Sequence, residues 1–187
     1  MSLIKSISGI RGTIGGKPGE GLTPIDVVKF TAAYGAWVLE TTGIPKVVIG
    51  RDARISGEMV SRLVVATLQG LGIDVIDLGL STTPTVEFAV PRETAGGGII
   101  LTASHNPAQW NALKLLNAVG EFISDEEGKA ILAKADTEDF TFAEVQHGNS
   151  FVFDQAAHPL LSSSTRVANS FSLQQPMRMA LLTGANM

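Results

Sequence analysis

Cysteine is absent from the 187-residue chain, so neither a disulfide framework nor a thiolate metal site is open to it. Charge is sparse at 17% of residues, and the net charge of −4 leaves no broad basic field for nucleic acid. Long hydrophobic runs are missing as well. The start, Met1-Ser2-Leu3-Ile4-Lys5-Ser6, has no extended apolar core of the kind a signal peptide needs, and no later run approaches membrane length. No membrane partner is expected, and a cytoplasmic location is the default. What remains is 44% apolar, the composition of a soluble globular domain, in a chain long enough for one core or for one domain with an appendage.

The chain is organised around Gly96-Gly97-Gly98-Ile99-Ile100-Leu101-Thr102-Ala103-Ser104-His105-Asn106-Pro107. Ile99 to Leu101 shows no alternation and suits a strand buried on both faces. Thr102 to Pro107 then leaves that strand at its carboxyl end, which is where open α/β sheets bind ligands. Pro107 fixes its own φ and pushes Asn106 toward an extended conformation. Ser104 is thereby presented on a constrained loop beside an imidazole and an amide. Such a pair suggests a serine hydrolase, but neighbours in an extended segment point opposite ways, which places His105 badly as a base for Ser104. A Gly-x-Ser-x-Gly elbow is also absent.

Taken in order, Leu3 to Ile7 alternates like a short edge strand. Ser8-Gly9-Ile10-Arg11-Gly12 opens a glycine-rich loop through Gly21. This loop is not a P-loop: Pro18 sits where a Ser or Thr is required, and Arg11 where the first glycine is required. It carries one guanidinium, a planar fork of donors suited to phosphate. Thr23-Pro24-Ile25-Asp26 is a helix start, with a capping hydroxyl, a first-turn proline and an acid at the third position. Val28, Ala32, Ala36 and Leu39 then predict its buried face. Lys46 to Gly50 reads as a buried strand ending in Arg51-Asp52-Ala53-Arg54-Ile55-Ser56-Gly57. Asp52 is expected to pair with a neighbouring arginine or with backbone amides, and Arg51, Asp52 and Arg54 to be scaffold.

Ser56 is expected to cap a helix with Val60, Leu63, Val64 and Leu68 on one face. Ile73 to Leu78 is a strand, followed by Gly79-Leu80-Ser81-Thr82-Thr83-Pro84, with Thr83 capping a short helix to about Val90. Asn111 to Asn117 follows Ser104 so closely that it is expected to turn back beside the central strand in an antiparallel sense. Ser124-Asp125-Glu126-Glu127 opens a further helix with a capping box. Strands alternating with helices predict an α/β fold: a three-layer α/β/α sandwich on a mixed, mostly parallel sheet.

Four segments, Gly9-Ile10-Arg11-Gly12, Gly50-Arg51-Asp52-Ala53-Arg54-Ile55-Ser56-Gly57, Gly79 to Pro84 and Thr102 to Pro107, stand in the order found in the α-D-phosphohexomutases. Over about residues 1–145 the chain resembles the first, phosphoserine-bearing domain of that phosphoglucomutase/phosphomannomutase family. The resemblance implies phosphoryl transfer between O6 and O1 of a hexose phosphate, through a phosphoserine and a bisphosphate intermediate. It makes Ser104 the phosphorylated nucleophile, whose phosphate would give Mg²⁺ one ligand. Arg11 and Lys114 would neutralise charge or assist proton transfer. His105 and Asn106 would shape the loop, with His105 counted among the catalytic residues; Thr102, Asn106 and Asn111 would be substrate or phosphate-loop residues, Asn111 within the family's Asn-Gly-x-Lys pattern. That pattern is broken by Ala112, which limits backbone freedom where a ligand should approach. A phosphosugar substrate and a hexose bisphosphate activator are implied as partners.

From His158 on, the chain has no Asp, Glu or Lys, and Pro176 interrupts a candidate helix at 173–182. Residues 146–187 are read as a linker or atypical tail from a truncated or frame-shifted reading, not a complete domain. Asp136 to Glu144 reads as a surface segment or short edge strand. The family's alternating-aspartate metal loop and its sugar-selecting and phosphate-holding loops have no counterpart in the chain. The fragment alone is therefore expected to be inactive. A non-catalytic α/β binding or assembly module that retains the serine loop is the alternative.

Overall fold

In the computed structural model the described residues are 1–6, 9–137, 151–156 and 169–173, the last two segments as backbone strands. The chain divides into two compact units, Met1–Glu138 and Asp139–Met187. The first contains β1 (Ile4–Ser6), β2 (Gly9–Thr13), α1 (Pro24–Thr42), β3 (Lys46–Arg51), α2 (Gly57–Gly70), β4 (Asp74–Leu80), α3 (Thr83–Arg92), β5 (Gly97–Leu101), β6 (Trp110–Leu116) and α4 (Asp125–Thr137).

Gly9–Thr13, expected as loop, is strand β2. Its two glycines hid it, and pairing with β6 overrides their weak strand preference. The six strands lie in the order β1-β2-β6-β5-β3-β4. β3 runs parallel to β4 and β5, β6 runs antiparallel to β5, and β2 antiparallel to β6. Four strands (β2, β5, β3 and β4) therefore point one way, and β1 and β6 the other. The sheet is mixed, and the return of β6 beside β5 is as the short spacing predicts.

Side-chain alternation divides the core in two. Val47, Ile49, Ile99, Leu101, Leu113 and Leu115 face α1, α2 and α4. Val48, Ile100 and Leu116 face α3. Every residue of β5 is buried, as its unbroken apolar run requires. Tyr34 of α1 ties the sheet at its centre: its hydroxyl donates to the Leu116 carbonyl at 2.7 Å and to the Gly98 carbonyl at 3.1 Å. A Cβ at Gly97 would fall on that hydroxyl, so glycine there is a matter of space.

The helix starts follow their capping chemistry. Thr23 and Asp26 form a reciprocal capping box on α1, and Ser124 and Glu127 form one on α4. The buried face of α1 only partly matches the expected one: Ala32 is buried and Leu39 packs against the core, but Val27, Phe30, Ala33, Tyr34, Trp37 and Val38 fill it, while Val28 and Ala36 stay half-buried. The helix is apolar almost all round, so periodicity could not choose a face. On α2, Val60, Val64 and Leu68 are buried as expected. Ser56, however, makes no side-chain cap: its backbone is already helical at φ −75° and ψ −10°, and its hydroxyl accepts a hydrogen bond from Asn111. On α3 the N-cap is Thr82 rather than Thr83, and it too makes no side-chain cap.

In the second unit, β7 (Phe151–Ala156) pairs antiparallel with β8 (Asn169–Leu173). Leu173 ends that strand; the rest of the candidate helix at 173–182 lies outside the described residues, as does the acidic segment beyond Asp136–Thr137.

Candidate functional site

The carboxyl ends of β3, β4 and β5 are stitched together by backbone: Asp52 N–H donates to the Leu101 carbonyl and Ser81 N–H to the Arg51 carbonyl. The serine loop leaves β5 at this edge. Beside it, β2 and β6 present Arg11 opposite Ala112, with Lys114 opposite Ile100 of β5. Ile10 and Leu113 point into the larger core, so alternation turns Arg11 and Lys114 to the other face.

Together these elements enclose a pocket of about 130 Å³. Arg11, Thr102, Ser104, His105, Asn106 and Lys114 line it, over a floor of Gly9 and Ala112. Among the described residues, two cationic side chains and no carboxylate face the space. Its volume is well below the roughly 300 Å³ at which ligand pockets begin, so it suits one phosphoryl-sized group and not a whole sugar phosphate. Arg11 Nε is buried without a hydrogen-bond partner. Among the described residues nothing pairs with it, and an orphaned buried donor costs about 1–3 kcal/mol. Lys114 Nζ stands 5.5 Å from the Phe122 ring centroid, a cation–π contact that steadies the ammonium.

Ser104 is exposed and has φ 52°, in the left-handed region. It is not extended, so the alternation used against His105 as its base does not hold here. Among the described residues no hydrogen bond joins the Ser104 hydroxyl to His105. A non-glycine residue in such a conformation costs of order 1–3 kcal/mol and persists only where its surroundings enforce it. Here Ser104 N–H donates to Thr102 Oγ1 at 3.1 Å, and the Thr102 hydroxyl donates to Asp52 Oδ2 at 2.6 Å. Asn106 folds the loop back, its amide Nδ2 donating to the Ala103 carbonyl at 2.8 Å. Gly9, at φ 113°, is forced by space: a Cβ there would strike the Leu113 carbonyl.

Thr102, His105 and Asn106 thus join Ser104, Arg11 and Lys114 at one pocket. Asn111 does not line it. That side chain is fully buried, donating to Ser56 Oγ at 2.9 Å and accepting from the Ala112 N–H at 2.8 Å. Ala112 lies within β6 with no positive φ, so alanine carries no strain in place of the family's glycine. Sequence reasoning missed how Arg54 acts. Its guanidinium reaches across to four carbonyls of the serine loop and the residues just after it.

The resemblance implies Mg²⁺, and the donor set does not fit that ion by itself. Both oxygens of Asp52 are already engaged, by Arg54 and Thr102, and no carboxylate lines the pocket. Among the described residues no cluster of three His, Asp or Glu could hold a metal.

The fold and site define a three-layer α/β/α domain that presents a serine beside two cations at the carboxyl edge of its sheet. Residues 3–142 match the family model described as phosphoglucomutase/phosphomannomutase, alpha/beta/alpha domain I. The chain belongs to that family. A phosphoglucomutase/phosphomannomutase of Thermococcus kodakarensis is 38% identical over 133 residues, 69% of this chain and 29% of that protein. A phosphoglucosamine mutase of Lactococcus lactis is 39% identical over 122 residues, 64% of this chain and 27% of its own length. A crystal structure from Thermus thermophilus, provisionally described as a phosphomannomutase, superposes with a TM-score of 0.63 at 36% identity. That match covers 72% of this chain and 30% of the other. The chain thus spans less than a third of the length of these relatives. Among the described residues no helix is long and apolar enough to cross a membrane.

Proposed function

We propose that this chain supplies the phosphoserine domain of a phosphohexomutase that moves a phosphoryl group between O6 and O1 of a hexose phosphate. The observation that carries this reading is the pocket itself, in which Ser104 shares a phosphoryl-sized space with the cationic side chains of Arg11 and Lys114. In the proposed step a phosphate on Ser104 passes to a sugar hydroxyl. The Ser104 Oγ–P bond breaks as the sugar O–P bond forms, and the hydroxyl proton leaves to a base in the assembled site. The resulting hexose bisphosphate returns its other phosphoryl group to Ser104 after turning round. Chemistry of this kind depends on positioning and on charge neutralisation over the equatorial oxygens. Arg11 and Lys114 supply that charge, and His105 and Asn106 shape the loop.

The sugar must be held by protein outside this pocket, and so must the remaining ligands of Mg²⁺. The isolated chain is therefore expected to have no mutase turnover with glucose, mannose or glucosamine phosphates.

The test is a hybrid in which residues 1–137 replace the matching first domain of the Thermococcus kodakarensis relative. Peptide mapping should find phosphate on Ser104, and Ser104→Ala should remove both the phosphate and the turnover. Phosphate on Ser56 or Ser81 instead would overturn the assignment.

A further inference from the structure

Arg54 lies on the loop between β3 and α2, yet every N–H of its guanidinium is spent inside the protein. Nε donates to Asp52 Oδ2 at 3.2 Å. Nη1 donates to the carbonyls of Pro107 at 2.8 Å and Trp110 at 2.9 Å. Nη2 donates to the carbonyls of Ser104 at 2.7 Å and Asn106 at 2.8 Å. A guanidinium has five donors, so none is left for a phosphoryl oxygen. The side chain is only 11% exposed.

The contacts converge on one residue from both sides. The Ser104 carbonyl is held by Arg54, whose Nε is held by Asp52. The Ser104 N–H is held by Thr102, whose hydroxyl is held by the same Asp52 oxygen. Asp52 Oδ1 in turn accepts the backbone N–H of Arg54 at 3.0 Å, which fixes the carboxylate against its own loop. One carboxylate therefore governs both peptide groups of a serine held at φ 52°.

We propose that Asp52, Arg54 and Thr102 form a positioning device that holds Ser104 in its left-handed conformation and aims its hydroxyl into the cationic pocket, acting through geometry without touching the phosphoryl group. This inference deepens the phosphoserine reading and rests on it for its consequence in turnover, though not for the geometry itself. Lysine cannot substitute for Arg54. An ammonium offers three donors from one point, whereas the loop carbonyls are spaced to meet a planar fork.

The first experiment needs no catalysis. Hydrogen exchange of the loop amides 103–106 is followed in the full 187-residue chain as wild type, Arg54→Lys, Arg54→Ala and Thr102→Val. The Arg54 variants should exchange the Ser104 and Asn106 amides roughly ten-fold faster or more, with the thermal midpoint within a few degrees of wild type. Methylguanidinium added to Arg54→Ala should restore part of the protection. Unchanged protection in Arg54→Lys, or a loss of protection that spreads equally through β3 and β5, would overturn the proposal.

The second experiment uses the same variants in the hybrid mutase. Arg54→Lys should lower kcat by about 100-fold with KM for glucose 1-phosphate changed less than about three-fold, the signature of a misplaced reacting group. Wild-type kcat in Arg54→Lys, or a rise in KM alone, would count against positioning. A wild-type hybrid that never carries phosphate on Ser104 would sink the phosphoserine reading instead, and the exchange data would still decide the device.

Discussion

The loop after β3 and the paired strands β2 and β6 each bring an arginine to Ser104, and the two arginines are left in opposite states. Arg54 gives all its donors to Asp52 and to four carbonyls of the serine loop and the start of β6. Among the described residues Arg11 keeps a buried Nε with no partner, and its side chain lines a pocket that no carboxylate enters. From the sequence, Arg54 is expected as scaffold, while the family resemblance gives Arg11 the charge-neutralising role. Hydrogen-bond accounting separates them: a saturated guanidinium builds the site, and an unsaturated one waits for an anion.

Removing Arg11 should sharpen this contrast most. Arg11→Ala in the hybrid mutase should lower turnover by roughly one to three orders of magnitude, the range for loss of a preorganised donor. Loop-amide exchange should not change, since Arg11 ties none of the loop. Arg11→Lys should recover part of the activity, because a charge in the pocket needs no fork. If Arg11→Ala instead loosens the serine loop as Arg54→Ala does, the two regions are not distinct.

Lys114→Ala should cost less, about ten-fold in turnover, because Arg11 remains to neutralise the same space. The check is a salt series. Arg11→Ala and Lys114→Ala should both weaken inorganic phosphate binding to the full chain and flatten its dependence on ionic strength. Arg54→Lys should leave that dependence unchanged.

A third comparison concerns the strands that carry the pocket rather than its charges. Burial pushes the Tyr34 phenol far above its ordinary value. The folded state therefore holds the proton more tightly than the unfolded state. Stability is full below the unfolded value of about 10 and falls as pH rises beyond it. Tyr34→Phe should cost about 1 kcal/mol at neutral pH through the lost hydrogen bonds. It should also remove the extra alkaline fall. Urea midpoints measured from neutral pH to about pH 11, past the ordinary tyrosine value, test both, and parallel curves for the two proteins would refute the account.

The smallest effect expected is that of Ala112→Gly. Because Ala112 has ordinary strand geometry, the family's glycine should leave turnover within about two-fold and lower stability by about 0.5–1 kcal/mol. A large gain in turnover would mean that the methyl group crowds the ligand after all.

Much of this was legible in the residues. Unbroken apolar runs located β3 and β5, and the Thr23–Asp26 and Ser124–Glu127 pairs marked helix starts through their local chemistry. The four ordered motifs gave the family and the pocket's main side chains. What escaped depends on partners distant in sequence. Gly9–Thr13 is a strand because β1 and the distant β6 both pair with it, and the Ser56 hydroxyl meets an asparagine 55 residues later. The buried face of α1 was ambiguous because nearly all its faces are apolar. The segment of Arg54 suggests scaffold, but nothing in it says that its partners are carbonyls 50 and 52 residues away.

The chain has one tyrosine and two tryptophans, and their placement gives each region its own light source. Trp37 is buried in the larger core and stacks on Tyr34 with ring centroids 5.9 Å apart, close enough to collect that tyrosine's excitation. Trp110 begins β6, where its carbonyl accepts an N–H of Arg54 and its own N–H donates to the Pro107 carbonyl. Emission from Trp37 therefore follows the packing of α1 on the sheet, while emission from Trp110 follows the end of the serine loop. A Trp37→Phe protein would leave a single indole fluorophore, watching the loop alone.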